Sequence, residues 1–145
     1  MRSQILALFL SLSASSSALA EMHEVRMLNR GAAGPMVYEP EFVHARPGDT
    51  AKFLNGSRGH NAVTVDGMLP EKSSGFKGNL NEEIEVSLDQ EGFYGIKCSP
   101  HYAMGMVMVI RVGDAALPDD FVRADVPARA RRRFGEIIAR AGLAQ

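Results

Sequence analysis

A cysteine, a histidine and a methionine lie close together in the second half of the chain. Cys98 is followed by His101 and Met106, and a second histidine, His60, follows a glycine-rich stretch upstream. A thiolate and neutral imidazoles bind copper or zinc strongly, whereas a thioether binds copper weakly and at long range. Two histidines, one cysteine and a weak axial methionine are the ligand set of a mononuclear copper site for single-electron transfer. These four residues are the predicted metal ligands.

Residues of the same types compete for two of these positions. Met104 is an alternative to Met106, because methionine is flexible and either thioether can turn toward a metal. His23 and His44 are the alternatives to His60. His23 lies at the start of the predicted domain and His44 lies in an alternating, strand-like run, so both are expected to be structural or exposed.

The neighbours of these ligands are of types that hold a site in shape. Asn61 directly follows His60 and is expected to hydrogen-bond across to the cysteine loop, which would fix the ligand geometry. Pro100 stiffens that loop. The loop leaves one predicted strand at Cys98 and enters another near Met106, so two strands determine where its ligands lie.

Short runs of alternating apolar and polar residues predict the strands that carry this loop. The clearest runs are residues 41–44, 51–54, 62–65, 83–88 and 106–112. Turns rich in glycine, proline and asparagine separate these runs, and no helical pattern intervenes. The sequence therefore predicts a mainly β fold, a sandwich of about eight strands over residues 21–113.

The pattern changes in residues 114–145, where we predict two helices. Pro118-Asp119-Asp120 offers a cap for the first helix, and Pro127 suits the start of the second. One apolar face of the second helix has helical spacing and comprises Ala130, Phe134, Ile137, Ile138 and Ala141. Arginines lie opposite this face. We interpret them as the solvated side of a helix docked on the sandwich, rather than as a membrane or nucleic-acid surface.

The first twenty residues have the order of a secretory signal. Arg2 precedes an apolar run at residues 5–12, and Ala18-Leu19-Ala20 precedes a predicted cleavage before Glu21. The apolar run is shorter than the roughly 20 residues that a membrane-spanning helix needs. We therefore predict an exported chain with a signal peptide at residues 1–20 and a single domain at residues 21–145.

Composition excludes several other classes of protein. The 145 residues include one cysteine, so neither an intramolecular disulfide nor a four-thiolate metal cluster can form within one chain. A formal net charge of -1 gives no support to nucleic-acid binding. An unpaired thiol outside the cytoplasm is open to oxidation, and coordination to a metal would protect it.

The run from Gly92 to His101, followed by Met106 and preceded by His60-Asn61, resembles the type 1 copper signature of the cupredoxins. Pseudoazurins resemble it most closely; amicyanins and plastocyanins have similar cysteine loops without the helical tail. The resemblance implies an eight-stranded Greek-key sandwich in which His60, Cys98, His101 and axial Met106 hold one copper ion. It further implies a periplasmic one-electron shuttle, not an enzyme, with copper nitrite reductase or nitrous oxide reductase of denitrifying bacteria as acceptor.

The same resemblance implies a docking surface around His101, through whose edge the electron would pass. The apolar members of this surface would be Met36, Pro100, Tyr102 and Met104. Its cationic rim would be Arg30, Arg58, Lys77 and Lys97, with Lys72 as a further candidate. Arg30 and Arg58 stand where lysine is usual in the family, which bears on the identity of the partner.

Two functions of other classes use the same residues. A zinc hydrolase would need an open water position beside Cys98, His60 and His101, but the loop supplies no carboxylate to act as general base. A copper-storage or chaperone protein would account for the eight methionines. Such a protein more often exposes a methionine-rich or two-thiol site for metal transfer.

Overall fold

The described chain forms eight strands, the number predicted, and buried and more exposed residues alternate along residues 42–45, 49–54 and 84–88. The computed structural model describes residues 19–144, so nearly all of the predicted signal peptide lies outside the described residues. The strands are β1 (Met22–Gly31), β2 (Gly34–Glu39), β3 (Phe42–Ala45), β4 (Asp49–Asn55), β5 (Val63–Thr64), β6 (Ile84–Leu88), β7 (Gly92–Lys97) and β8 (Val107–Val112). No helix in this part of the chain is long and apolar enough to cross a membrane.

The strands form two four-stranded sheets that pack face to face. One sheet has the order β2-β1-β4-β6 and the other the order β3-β8-β7-β5. β1 pairs with β4 and β3 pairs with β8 in parallel, whereas the remaining neighbours are antiparallel. Apolar side chains from both sheets, including Val25, Phe53, Ile96 and Ile110, fill the space between them. The predicted mainly β sandwich of eight strands is confirmed.

A single helix, α1 (Ala128–Arg140), follows the strands in the described chain. The prediction of two helices is therefore wrong. Between Pro118 and Pro127 the backbone forms turns, and the Phe121 N–H donates to the carbonyl of Pro118 at 3.1 Å. Pro127 disfavours helical geometry at Val126, and too few residues remain between the two prolines to support a helix.

The apolar face of α1 packs on the outer side of the second sheet. Ala130, Phe134, Ile137 and Ile138 are buried in a cluster with Phe93, Val107 and Val109. Because β7 and β8 are covered by the sandwich core on one side and by this cluster on the other, their residues are buried almost without interruption. Both strands that bear the cysteine loop are thereby held rigidly.

Candidate metal centre

Main-chain hydrogen bonds close the loop between β7 and β8 tightly. The Cys98 N–H donates to the carbonyl of Met106 at 3.0 Å, and the Met106 N–H donates to the carbonyl of His101 at 3.1 Å. Gly105 has a φ of 92°, and a side chain there would approach the Arg129 carbonyl of α1. The loop thus turns back within a few residues and presents Cys98 and His101 on one side.

His60 reaches the same place from the segment that connects β4 to β5. Its side chain is fully buried, and its carbonyl accepts a hydrogen bond from the Asn81 N–H at 2.8 Å. The His60 Nε2–H donates to Oδ1 of Asn29 at 2.8 Å. Since this bond places the ring proton on Nε2, the lone pair of Nδ1 is free to bind a metal.

Three donor atoms form a nearly equilateral triangle at this point. Nδ1 of His60 lies 3.2 Å from Nδ1 of His101, and Sγ of Cys98 lies 3.6 Å and 3.5 Å from these two nitrogens. A point equidistant from all three atoms is about 2 Å from each, which matches metal–nitrogen and metal–thiolate bonds of about 2.0–2.3 Å. The donor set therefore fits a single transition-metal ion.

Burial shapes the protonation of these donors. It lowers the pKa of His60, and the neighbouring His101 lowers it further. Burial also raises the pKa of the Cys98 thiol, while hydrogen bonds from the main chain of Asn61 and His101 act in the opposite direction. An arriving metal ion meets neutral imidazole at His60 and must displace the thiol proton.

Asn61 ties the His60 segment to the cysteine loop. Its Oδ1 accepts a hydrogen bond from the Ser99 N–H at 2.8 Å, and its Nδ2 donates to the carbonyl of Gly78 at 3.1 Å. Its own carbonyl accepts a hydrogen bond from the Tyr38 hydroxyl at 2.6 Å. This side chain fixes the distance between two ligand-bearing segments that lie far apart in sequence.

The structure separates the alternatives for the remaining positions. Met106 is fully buried, and its main chain hydrogen-bonds to both Cys98 and His101. Met104, in contrast, is 49% exposed. His23 Nε2 pairs with Asp49, and the His44 Nε2–H donates to the carbonyl of Gly113, so neither joins the triangle.

All the predicted docking residues except Met36, which lies in β2, belong to the cysteine loop itself. Pro100 and Met104 are exposed, Tyr102 and His101 are half-buried, and Met36 packs against the core with a φ of 51°. Leu80 is also exposed, at 54%, close to Asn81 and hence to His60. Sequence patterns alone gave no signal for it.

The predicted rim cations lie one or two residues along the chain from members of the triangle or from residues of the hydrogen-bond network around it. Arg30 follows Asn29, Arg58 precedes His60 by two positions, and Lys77 adjoins Gly78. Lys97 precedes Cys98, and its Nζ lies 5.0 Å from the centre of the Tyr102 ring.

Lys72 is elsewhere. It lines a pocket with Gln90 and Gly92 at the opposite end of β7, so its assignment to the rim is wrong.

Two further residues support the site without any local sequence signal. Asn29 orients His60 from 31 positions away. Asn81 accepts a hydrogen bond from the Gly59 N–H at 2.6 Å and donates its own N–H to the carbonyl of His60. Only the pairing of the strands brings these asparagines to the histidine.

Comparison with known proteins agrees with this geometry. Residues 25–113 match the family described as copper binding proteins of the plastocyanin/azurin family. The chain is 41% identical over 138 residues to the pseudoazurin of Paracoccus pantotrophus, covering 89% of this chain and 95% of that protein. It is 43% identical over 107 residues to the pseudoazurin of Methylorubrum extorquens, covering 74% and 72%. The crystal structure of native pseudoazurin from Hyphomicrobium denitrificans superposes with a TM-score of 0.77 at 36% identity, covering 86% of this chain and 99% of that one.

The two-sheet fold and the histidine–cysteine donor set define a cupredoxin, and the chain belongs to the plastocyanin/azurin family of copper-binding proteins. Within that family its homologues are the pseudoazurins. Its cofactor is accordingly copper, and it is a blue-copper electron carrier that works with redox proteins.

Proposed function

We propose that His60, Cys98, His101 and axial Met106 hold one copper ion, and that the chain carries single electrons in the periplasm after removal of residues 1–20. The observation that carries this proposal is the triangle of two Nδ1 atoms and one Sγ, with edges of 3.2–3.6 Å and two of its three residues buried. When bound, copper supplies a one-electron couple between Cu(I) and Cu(II).

The protein holds the donor atoms in fixed positions and keeps water away from them. Asn29 fixes the ring of His60, and Asn61 fixes the cysteine loop against the His60 segment. Burial of His60, Cys98 and Met106 excludes water from the inner side of the site. Donors that do not move between oxidation states keep the reorganisation energy small, so electron transfer is fast.

His101 is the exit for the electron in this proposal. It is the half-exposed member of the triangle, and exposed Pro100 and Met104 lie beside it in the loop. A partner that docks there approaches the imidazole edge directly. A small apolar contact of this kind suits a short-lived complex.

Positive charge around this surface selects the partner class. The predicted rim cations supply this charge, and Arg129 of α1 adds to it in a small pocket beside Met104. Arg132 and Arg133 line the same pocket but are paired with Glu136. An acidic surface on the acceptor would complement them and speed association. We propose copper nitrite reductase of a denitrification pathway as the acceptor, with nitrous oxide reductase as the second candidate.

A spectroscopic experiment tests the ligand assignment. Addition of one equivalent of Cu(II) to the purified protein should produce the intense visible absorption of a copper–thiolate bond, and Cys98→Ser should abolish it. The variant must retain the circular dichroism of the native fold. A colourless copper-loaded protein would overturn the assignment.

The partner and the compartment need separate measurements. Stopped-flow oxidation of the reduced protein by copper nitrite reductase should be fast and should slow as ionic strength rises. A rate no faster than with an unrelated acidic redox protein would reject that partner. Recovery of the shortened chain from a periplasmic extract, and not from the cytoplasm, tests the predicted export.

A further inference from the structure

A second group of metal-ligating side chains lies at the start of β1, and the copper site does not use it. A carboxylate oxygen of Glu21, a ring nitrogen of His23 and a carboxylate oxygen of Asp49 lie within 4.8 Å of one another. The main-chain nitrogen of Glu21 donates to Oδ1 of Asp49 at 2.8 Å, and Nε2 of His23 lies 2.9 Å from Oδ2. One carboxylate therefore holds the Glu21 nitrogen and the His23 ring side by side.

Asp49 is a rigid support for these two groups. Its side chain is buried, with 2% of the residue exposed, and the Arg46 N–H donates to Oδ2 at 2.8 Å. In the neutral imidazole, the bond to Oδ2 holds the ring proton on Nε2 and leaves the Nδ1 lone pair for a metal. A carboxylate behind the distal ring nitrogen is the arrangement usual for metal-ligating histidines.

The predicted cleavage changes the chemistry of the Glu21 nitrogen. Removal of residues 1–20 turns this amide into a primary amine and makes His23 the third residue of the chain. The amine, the main-chain nitrogens of Met22 and His23, and the imidazole Nδ1 then supply four nitrogen donors within one tripeptide. Four nitrogens in a plane suit Cu(II) and Ni(II). An α-amine, with a pKa of about 7.7–8.0 in model peptides, loses its proton readily near neutral pH.

We propose that Glu21-Met22-His23 of the mature chain is a second copper site, which binds Cu(II) through nitrogen alone, and that Asp49 positions its amine and imidazole. Metal binding releases protons from the amine and the two main-chain amides to solvent, and no electron is transferred. This inference rests on the proposed cleavage before Glu21, and it is independent of the site at Cys98.

The sheet allows such a site at this position. β1 pairs with β2 only from Arg26 onward, so the first residues of β1 contact β4 on one side and are open on the other. Wrapping the main-chain nitrogens around the ion requires only this end of β1 to loosen from Thr50 and Ala51. The ion would lie roughly 20 Å from the Cys98 site, because β4 extends over seven residues from Asp49 toward Asn55 at the copper end.

Copper titration of the exported, purified protein tests the proposal. After one equivalent of Cu(II) has filled the thiolate site, a second equivalent should bind tightly. It should give a separate electron paramagnetic resonance signal, with the wide hyperfine splitting of a tetragonal nitrogen site. His23→Gln removes a ligand, so it should weaken this second binding by more than the about 10–100-fold that loss of an outer partner costs. His44→Gln is the matched control, since its ring bonds a carbonyl at another site, and it should leave the second signal unchanged.

Insertion of one alanine before Glu21 separates the proposed chelate from a simple histidine site. It moves His23 to the fourth position while leaving the imidazole and Asp49 in place, and it should abolish the second signal. The intense absorption of the Cys98 site must survive in every variant, which reports on folding.

Mass spectrometry of the starting material decides between the possible failures. A chain that begins at Glu21 but binds only one Cu(II) overturns the second site and leaves the proposed electron carrier intact. A chain that begins elsewhere overturns the cleavage and the second site together. Equal binding by the alanine-extended chain overturns the tripeptide chelate.

Discussion

The two ends of the sandwich each gather histidine with other donor groups, and they differ in the chemistry of those donors. At the end that carries the cysteine loop, His60 and His101 surround a thiol with no carboxylate among the three donors. At the other end, Glu21 and His23 converge on the carboxylate of Asp49. β4 connects the two ends.

The difference decides which oxidation states of copper each end can hold. A soft thiolate with imidazoles binds both Cu(I) and Cu(II), so an ion there can exchange electrons. Nitrogen donors beside a carboxylate favour Cu(II) alone. The same metal would be redox-active at one end and redox-silent at the other, although both ends use histidine.

The largest expected effect comes from removing one histidine at each end. His60→Ala should eliminate the intense visible absorption of the copper-loaded protein, because a buried strong ligand is lost. His23→Ala should leave this absorption unchanged in position and intensity. Absorption spectra of both variants, recorded at equal copper loading, make the comparison. Loss of colour in both would show that the two ends are not independent.

Asn61 gives the next largest effect, also at the copper end. Asn61→Ala leaves the Ser99 N–H and the Gly78 carbonyl without this partner, which costs about 1–3 kcal/mol in the free energy of unfolding. Loss of such a support typically costs about 10–100-fold in metal affinity. Asn79→Ala, at an exposed position, is the control. Urea unfolding and copper competition titrations measure the two quantities, and equal results for both variants would contradict the role of Asn61.

The metal ligands and the asparagines that support them show how much of the site can be predicted from the sequence. The ligands could be identified because three of them lie in one loop whose length is set by adjacent strands. The Asn61 contact was accessible because the residue adjoins His60. Asn29 and Asn81 could not be found, since only strand pairing brings them to His60.

The C-terminal segment also shows where prediction from local sequence signals succeeds and where it fails. The apolar face of α1 follows from helical spacing, and burial confirms it. The other predicted helix relied on a local cap signal at Pro118, but Pro127 restricts the segment that would have to continue it. Lys72 was misplaced because position along the chain does not reveal which end of β7 a loop approaches.

At the opposite end, Asp49 should make stability depend on pH in acid. Burial acts to raise the pKa of Asp49, but hydrogen bonds from Glu21, His23 and Arg46 outweigh it and lower the pKa to about 2. A carboxyl group with a lowered pKa stabilises the fold above its unfolded pKa of about 3.9, and this contribution is lost as the pH falls toward about 2.

Asp49→Asn removes that contribution. It should lower the free energy of unfolding at pH 7 by about 1–3 kcal/mol, because an amide cannot accept all three hydrogen bonds. The variant should also lose the part of the stability change between about pH 4 and 2 that Asp49 causes. Asp114→Asn, whose side chain is 96% exposed, is the control. Urea unfolding at several pH values tests this, and an unaltered pH profile would argue against Asp49 as the titrating group.

The smallest expected effect compares one surface lysine from each end. Lys77 lies near the copper site through Gly78, whereas Lys72 lies at the far end of β7, so Lys77→Glu and Lys72→Glu make the same charge change at different distances from His101. Rim charge acts mainly on the association rate, so Lys77→Glu should slow electron transfer to an acidic partner by about 3–10-fold at low salt and flatten its dependence on ionic strength. Lys72→Glu should change both far less. Stopped-flow rates across a salt series measure the difference; if the two variants slow equally, net charge rather than a docking face at His101 controls association.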